Sequence, residues 1–196
     1  LNLNASLQRA LADAGYQSAT EVQQRAIPPA LDGRDLMVSS STGSGKTASF
    51  VLPALMRVLA ARGDASKRRE KGVVAGPRVL VLTPTRELAM QVSKAAMNYG
   101  RHVPGLRIAT IVGGVPYGYQ LKALRGPLDI LIATPGRLID HLGSGKAVLA
   151  SVEMLVLDEA DRMLDMGFIE DIQHIAQATP AARQTVMYSA TFAGHV

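Results

Sequence analysis

The sequence predicts an α/β domain: a parallel sheet with helices on both faces. Two observations lead there. Six short apolar runs, at 35–39, 78–82, 107–112, 129–133, 154–157 and 184–188, alternate with stretches of helical periodicity. Polar clusters follow directly after these runs, and ligands gather at the carboxyl ends of strands in open sheets of this kind. The chain has 196 residues, enough for one domain (1–196) with a sizeable core.

Residues 4–14 place Leu7, Ala10, Leu11 and Ala14 on one helical face, and Gly15 suits the position just past its end. Thr20 caps a second helix from Glu21 toward Leu31, which Pro28 and Pro29 are expected to bend or break. Asp32-Gly33 turns into the first strand. A helix over about 46–60 includes Pro53, which predicts a kink. Residues 62–77 are charged and aperiodic and read as a surface loop. The run 78–82 is unbroken and apolar, as in strands buried on both faces. Thr83-Pro84-Thr85 leads into a helix over 86–99. The third strand ends at Gly113-Gly114, before a helix over 117–124. The fourth leads through Thr134-Pro135-Gly136-Arg137 into a short helix reaching Leu142. The fifth ends at Asp158-Glu159, residues 169–178 are helical, and the sixth ends at Ser189-Ala190-Thr191.

Hydrophobic residues make up 47% of the chain, yet no apolar run approaches the roughly 18–20 residues of a membrane span. The N-terminus does not resemble a secretory signal. A cytoplasmic, monomeric domain with no membrane partner is therefore expected. The absence of Cys excludes disulfides and thiolate metal sites. The four His residues, at 102, 141, 174 and 195, lack ligand spacing and read as surface residues. Net charge is +5, and six basic residues against two acidic ones fall between Arg62 and Arg78. The basic character is thus local, a mobile loop or an auxiliary polyanion contact rather than a broad nucleic-acid face.

Ser40-Ser41-Thr42-Gly43-Ser44-Gly45-Lys46-Thr47 sits between the first strand and the helix after it. A helix N-terminus offers unpaired N–H groups and partial positive charge to a phosphate. Gly43 and Gly45 let the backbone wrap closely around phosphate oxygens. The expected cradle is Ser41, Thr42, Gly43, Ser44, Gly45, Lys46 and Thr47. Lys46 reaches the outer phosphates and the Thr47 hydroxyl ligates Mg²⁺. Ser40 stands where the strict pattern has Gly. The competing reading is a Gly/Ser turn that only caps a helix. Asp158-Glu159-Ala160-Asp161 follows an apolar strand, which suits Mg²⁺-dependent phosphoryl transfer. Asp158 can hold Mg²⁺ directly or through water, and Glu159 can orient and deprotonate an attacking water. The competing reading is a charged turn.

With these residues in place, the chain resembles the N-terminal RecA-like domain of DEAD-box RNA helicases nearly end to end. Asp158-Glu159-Ala160-Asp161 is the motif that names that family. Pro84-Thr85-Arg86-Glu87-Leu88-Ala89, Gly113-Gly114, Thr134-Pro135-Gly136-Arg137 and Ser189-Ala190-Thr191 match its other motifs in order. The run 161–168 is similar to bacterial members, especially RhlE-like ones. The resemblance implies a RecA-like P-loop NTPase fold, with ATP and Mg²⁺ as cofactors and RNA as partner. It also implies ATP hydrolysis that pries apart short duplexes by bending one strand.

Residue by residue, the resemblance makes Lys46, Asp158 and Glu159 catalytic. Tyr16 stacks on adenine and Gln23 reads its edge, although Ala19 and Glu21 stand where the family usually has Pro. A helix-end aromatic is the plainer reading of Tyr16. Thr85, Arg86, Gly114, Thr134 and Arg137 hold the RNA backbone, and simple helix caps and surface charges are the alternative. Ser189 and Thr191 tie Asp161 to the sheet and couple ATP state to domain closure. Two other function classes stay open. A P-loop ATPase acting on DNA or protein would not distinguish RNA by its 2′-OH. A clamp that binds ATP without turnover has Glu159 against it. The chain stops at Val196, so the second RecA-like domain and its arginines are expected to be absent. The domain should then fold alone with little RNA-stimulated ATPase.

Overall fold

In the computed structural model, residues 2–41, 45–62, 76–125 and 127–190 are described. The strands β1 (Leu36–Ser39), β2 (Val79–Leu82), β3 (Ile108–Ile111), β4 (Ile130–Ala133), β5 (Met154–Leu157) and β6 (Gln184–Ser189) form one sheet. Its order is β1-β6-β5-β2-β4-β3, and every neighbouring pair is parallel. The inner strands β2, β4 and β5 are buried at every position, whereas the edge strands β1 and β3 alternate. Unbroken apolar runs such as Val79-Leu80-Val81-Leu82 arise because both faces of an inner parallel strand are covered.

Successive side chains point to opposite faces, so β2 feeds two cores. Val79 and Val81 pack with α1 (Ala5–Asp13), α2 (Glu21–Leu31), α3 (Lys46–Arg62) and α4 (Arg86–Tyr99) through Leu7, Ile27, Phe50 and Val92. Leu80 and Leu82 pack on the other side with Leu124, Leu138, Met163 and Ile175. Those residues lie on α5 (Tyr117–Arg125), α6 (Pro135–Gly143), α7 (Ala160–Asp165) and α8 (Ile169–Gln177).

Helix α2 runs unbroken through Pro28 and Pro29. Both fall in its last turn, where they free only the carbonyls of Gln24 and Arg25. The carbonyls of Pro28 and Pro29 accept from the Asp32 and Arg34 N–H groups. Helix α3 likewise continues past Pro53, buried continuously from Ala48 to Leu55, and reaches Arg62. Burial of this stretch outweighs the one hydrogen bond that Pro53 removes.

Three readings of the sequence need correction. Arg62 belongs to α3 and not to a loop: its guanidinium pairs with Asp129 at 3.1 Å, both side chains almost fully buried. Arg78, at the other end of the basic segment, pairs with Glu153 at 2.8 Å. Residues 63–75 lie outside the described residues. His141 is not on the surface but fully buried. Helix α7 was not anticipated, because six residues are too few to display a helical period. Among the described residues, no helix is long and apolar enough to cross a membrane.

Candidate functional site

The site lies along the carboxyl ends of the strands. β1 delivers Ser40, whose N–H donates to the Ser189 carbonyl at the end of β6 (3.1 Å). The Ser40 hydroxyl is buried, with no hydrogen-bond partner among the described residues. Ser41 follows it, exposed, while Thr42, Gly43 and Ser44 lie outside the described residues. Gly45 has φ +83°, and a Cβ there would meet Gln23 Nε2 at 2.6 Å and Thr20 Oγ1 at 2.9 Å. Two constraints therefore demand glycine: left-handed backbone and close approach of α2. Lys46 and Thr47 open α3, with Thr47 half-buried.

Lys46 Nζ stands 2.7 Å from Asp158 Oδ1 and 3.4 Å from Glu159 Oε2. Asp158 is buried at the end of β5, and its N–H donates to the Leu82 carbonyl. Burial pushes its carboxyl above the usual carboxylate range, and the Lys46 ammonium pulls against that shift. Glu159 has φ +56°, the one non-glycine with positive φ among the described residues. Such backbone costs of order 1–3 kcal/mol and clusters at functional sites. It swings the Glu159 carboxylate back to Lys46, and Arg162 NH1 reaches its other oxygen at 3.8 Å.

A buried hydrogen-bonded chain steadies this end of α3. Ser49 Oγ lies 2.5 Å from the Lys46 carbonyl, to which it donates, and 2.6 Å from Tyr188 Oη on β6. Neither residue stood out in the sequence, since each reads as an ordinary core or helix position.

Gln23 and Thr20 form a reciprocal capping box at the start of α2. The Gln23 carbonyl accepts from the Thr20 N–H (3.0 Å), and its amide donates to the Gly45 carbonyl (3.0 Å). Gln23 is thus tied to the phosphate loop, with one amide N–H and one lone pair left over. Tyr16 is half exposed, and its hydroxyl meets that of Tyr99 at 2.8 Å. The two rings are tilted with centroids 5.9 Å apart.

At the β4 side, a groove of about 600 Å³ includes Arg86, Gly113, Thr134 and Arg137 in its lining. Thr85 caps α4 by accepting from the Leu88 N–H (3.2 Å). Gly114 has φ +80°, and a Cβ there would lie 2.8 Å from an Arg86 guanidinium nitrogen. Thr134 begins α6 without a side-chain cap bond, so its hydroxyl is not spent on the helix. Arg137 donates to the Val115 carbonyl (3.4 Å). Three of the five expected backbone-binding residues, Arg86, Thr134 and Arg137, therefore line one groove, with Gly114 against Arg86 and Thr85 setting the helix that carries Arg86. Phe168 also lines it, a residue the motifs did not single out.

Beneath the groove, Gln120 donates to the Val112 carbonyl and its side-chain oxygen meets His141 Nε2 at 2.9 Å. Tyr117 stacks on the His141 ring, with centroids 4.4 Å apart and planes 11° from parallel. Burial, and secondarily Arg137, lower the His141 pKa. Asp161 lies in the first turn of α7, which packs against β6. Ser189 ends β6, buried, opposite Ser39, and Thr191 lies outside the described residues.

A family model described as DEAD/DEAH box helicase matches residues 20–196. The chain is 48% identical over 194 residues to the ATP-dependent RNA helicase SrmB of Escherichia coli (strain K12), covering 99% of this chain and 42% of that protein. It is 43% identical over 191 residues to the ATP-dependent RNA helicase DeaD of the same strain, covering 97% of this chain and 28% of that protein. The chain thus spans less than half the length of these relatives. A crystal structure of a hypothetical ATP-dependent RNA helicase from Sulfolobus tokodaii superposes with TM-score 0.83 at 37% identity, over 96% of this chain and 51% of that one. The phosphate loop, the acidic pair at the end of β5 and the matched model over 20–196 together mean that this chain belongs to the DEAD/DEAH box helicase family.

Proposed function

We propose that this chain is the ATP-binding RecA-like domain, spanning 1–196, of an ATP-dependent RNA helicase that hydrolyses ATP to separate short duplexes. The observation that supports this most directly is the Lys46 ammonium held between Asp158 and Glu159. A cation placed there marks where anionic phosphates are received, beside the two carboxylates. Ser41, Thr42, Gly43, Ser44 and Gly45 supply backbone N–H groups, while Lys46 neutralises charge that builds during phosphoryl transfer. Glu159 orients the attacking water and accepts its proton. Tyr16 packs against the adenine face. Gln23 uses its remaining N–H and lone pair toward the base edge.

The donor set fits Mg²⁺ rather than a protein-caged metal. Among the described residues no group of three His or carboxylate side chains could hold a metal. Mg²⁺ takes one or two carboxylates plus substrate phosphates. Asp158 and the Thr47 hydroxyl would hold it, partly through water, and when bound it would neutralise phosphate charge.

Arg86, Gly114, Thr134 and Arg137, with the α4 N-terminus set by Thr85, bind the sugar-phosphate backbone without reading sequence. Asp161, Ser189 and Thr191 link the acidic motif to β6 and pass the nucleotide state to a second RecA-like domain. The run 161–168 favours the RhlE-like subgroup. The test is RNA-stimulated ATP turnover by the two-domain protein. Stimulation by RNA and not by DNA is expected. Equal stimulation by both would favour an ATPase acting on another polymer.

A further inference from the structure

Tyr119 is 73% exposed, the most exposed of the large apolar residues described. It stands in the first turn of α5, five residues past Gly114. Its neighbour Tyr117 is already engaged: one ring face lies on His141, the Arg137 guanidinium carbon is 6.0 Å from the ring centroid, and the hydroxyl meets Ser144 at 3.3 Å. Gln120 is buried and fastens α5 to the Val112 carbonyl and to His141. The helix is therefore fixed, and Tyr119 is presented from it with no ring partner among the described residues. Lys122, one turn further along the same face, is exposed, as is Arg125. The start of α5 borders the groove through Tyr117, whose ring centroid lies 6.0 Å from the Arg137 guanidinium carbon, and an exposed aromatic with cations on its own helix is the kind of surface that stacks bases of single strands.

We propose that Tyr119 is a stacking platform for one unpaired base of the RNA strand whose backbone lies in the Arg86–Arg137 groove. The strand leaves Gly114 toward the start of α5, and a base that is not paired swings onto the exposed ring. Lys122 draws the following phosphate. This rests on the groove binding RNA, and it adds a feature that backbone contacts cannot supply. A paired base is stacked within its own helix and is not available, so Tyr119 favours single strands over duplex. It also acts without preference among bases, because each has a π face.

The chain contains no Trp, so Tyr119→Trp creates one fluorophore at this position. Oligoadenylate added to that variant at low ionic strength should quench its emission in step with binding. Tyr119→Ala should weaken oligoadenylate binding about tenfold and leave blunt duplex RNA affinity unchanged, while Tyr119→Phe retains the parent affinity. Arg137→Ala should weaken both RNA forms. RNA binding that needs Arg137 but neither quenches the Tyr119→Trp indole nor responds to Tyr119→Ala would overturn the platform and leave the groove intact. Failure of the parent chain to bind RNA, or indifference to Arg137→Ala, would overturn both.

Discussion

At the scale of single residues, Glu159 joins two facts that the sequence could not connect. Its carboxylate is the base candidate, and its left-handed backbone returns that carboxylate to Lys46. Glu159→Gln keeps shape and removes the base. In the two-domain protein, turnover should fall at least about 10²-fold while ATP still binds; turnover within a factor of a few of the parent would remove Glu159 from the chemistry. Gly45 is subject to a different constraint. Gly45→Ala forces a Cβ into Gln23 and Thr20 and strains a φ of +83°, so the loop, α2, or both must move. ADP affinity measured by calorimetry should drop more than about tenfold, with of order 1–3 kcal/mol lost from unfolding free energy. Retention of both would mean that the loop is pliant. Gln23 has less freedom than its motif suggested, because two of its polar functions already hold Thr20 and Gly45. In the proposed role, the remaining pair would distinguish adenine from guanine, whose O6 would face the Gln23 oxygen. ADP should bind at least about tenfold tighter than GDP, a mismatch of roughly 1–3 kcal/mol. Equal titration curves would show that Gln23 serves the loop alone.

At the scale of elements, the start of α4 joins a helix cap to the proposed backbone-binding groove. The Thr85 hydroxyl caps the helix, and the same helix start carries Arg86 against Gly114. Thr85→Ala should cost about 1 kcal/mol of stability through the lost cap. Thr85→Ser, which keeps the cap, should restore stability and RNA affinity together. Restored stability without restored RNA affinity would separate the cap from the contact. Helices α2 and α3 show the opposite balance, in which local rules yield to packing. Proline at a helix end or within a buried helix removes one bond each, and the apolar surface covered there more than offsets it.

At the scale of the whole molecule, two buried ionisable groups give opposite pH dependences. His141 is buried with its pKa below the ordinary 6.5, so below that pH the unfolded chain binds a proton that the folded chain refuses. Its contribution to stability is present above 6.5 and is lost on acidification, with a limiting slope of about 1.4 kcal/mol per pH unit. Asp158, whose carboxyl is raised above its ordinary 3.8, acts the other way. Its burial penalty sets in as pH rises through 3.8 toward the folded value. The charged groups beside His141 are Arg137, which also lowers its pKa, and Asp140, which raises it. Unfolding free energies measured between about pH 7.5 and pH 5.5 should fall more steeply in the parent than in His141→Gln. Parallel curves would mean that His141 takes up its proton in place.

The sequence by itself determined the six strands and most of the helices between them. Short apolar runs of strand length, separated by helical periods and ending in Gly, Thr or Asp, specify parallel strands with ligand-binding ends, because alternating burial and turn chemistry are local properties. The strands, the helices other than α7, and the grouping of the phosphate loop with Asp158-Glu159 were legible for that reason. Tertiary structure alone decided what meets across the chain. Arg62 finds Asp129 after 67 residues, and Tyr188 finds Ser49 after 139. His141 is buried because α5 closes over it through Gln120 and Tyr117, and a His on an amphipathic helix carries no mark of which neighbour will cover it. The left-handed Glu159 likewise stands at the turn from β5 into α7, which packs against β6. Pairings over such separations depend on how layers stack, and that information is not contained in any local window of sequence.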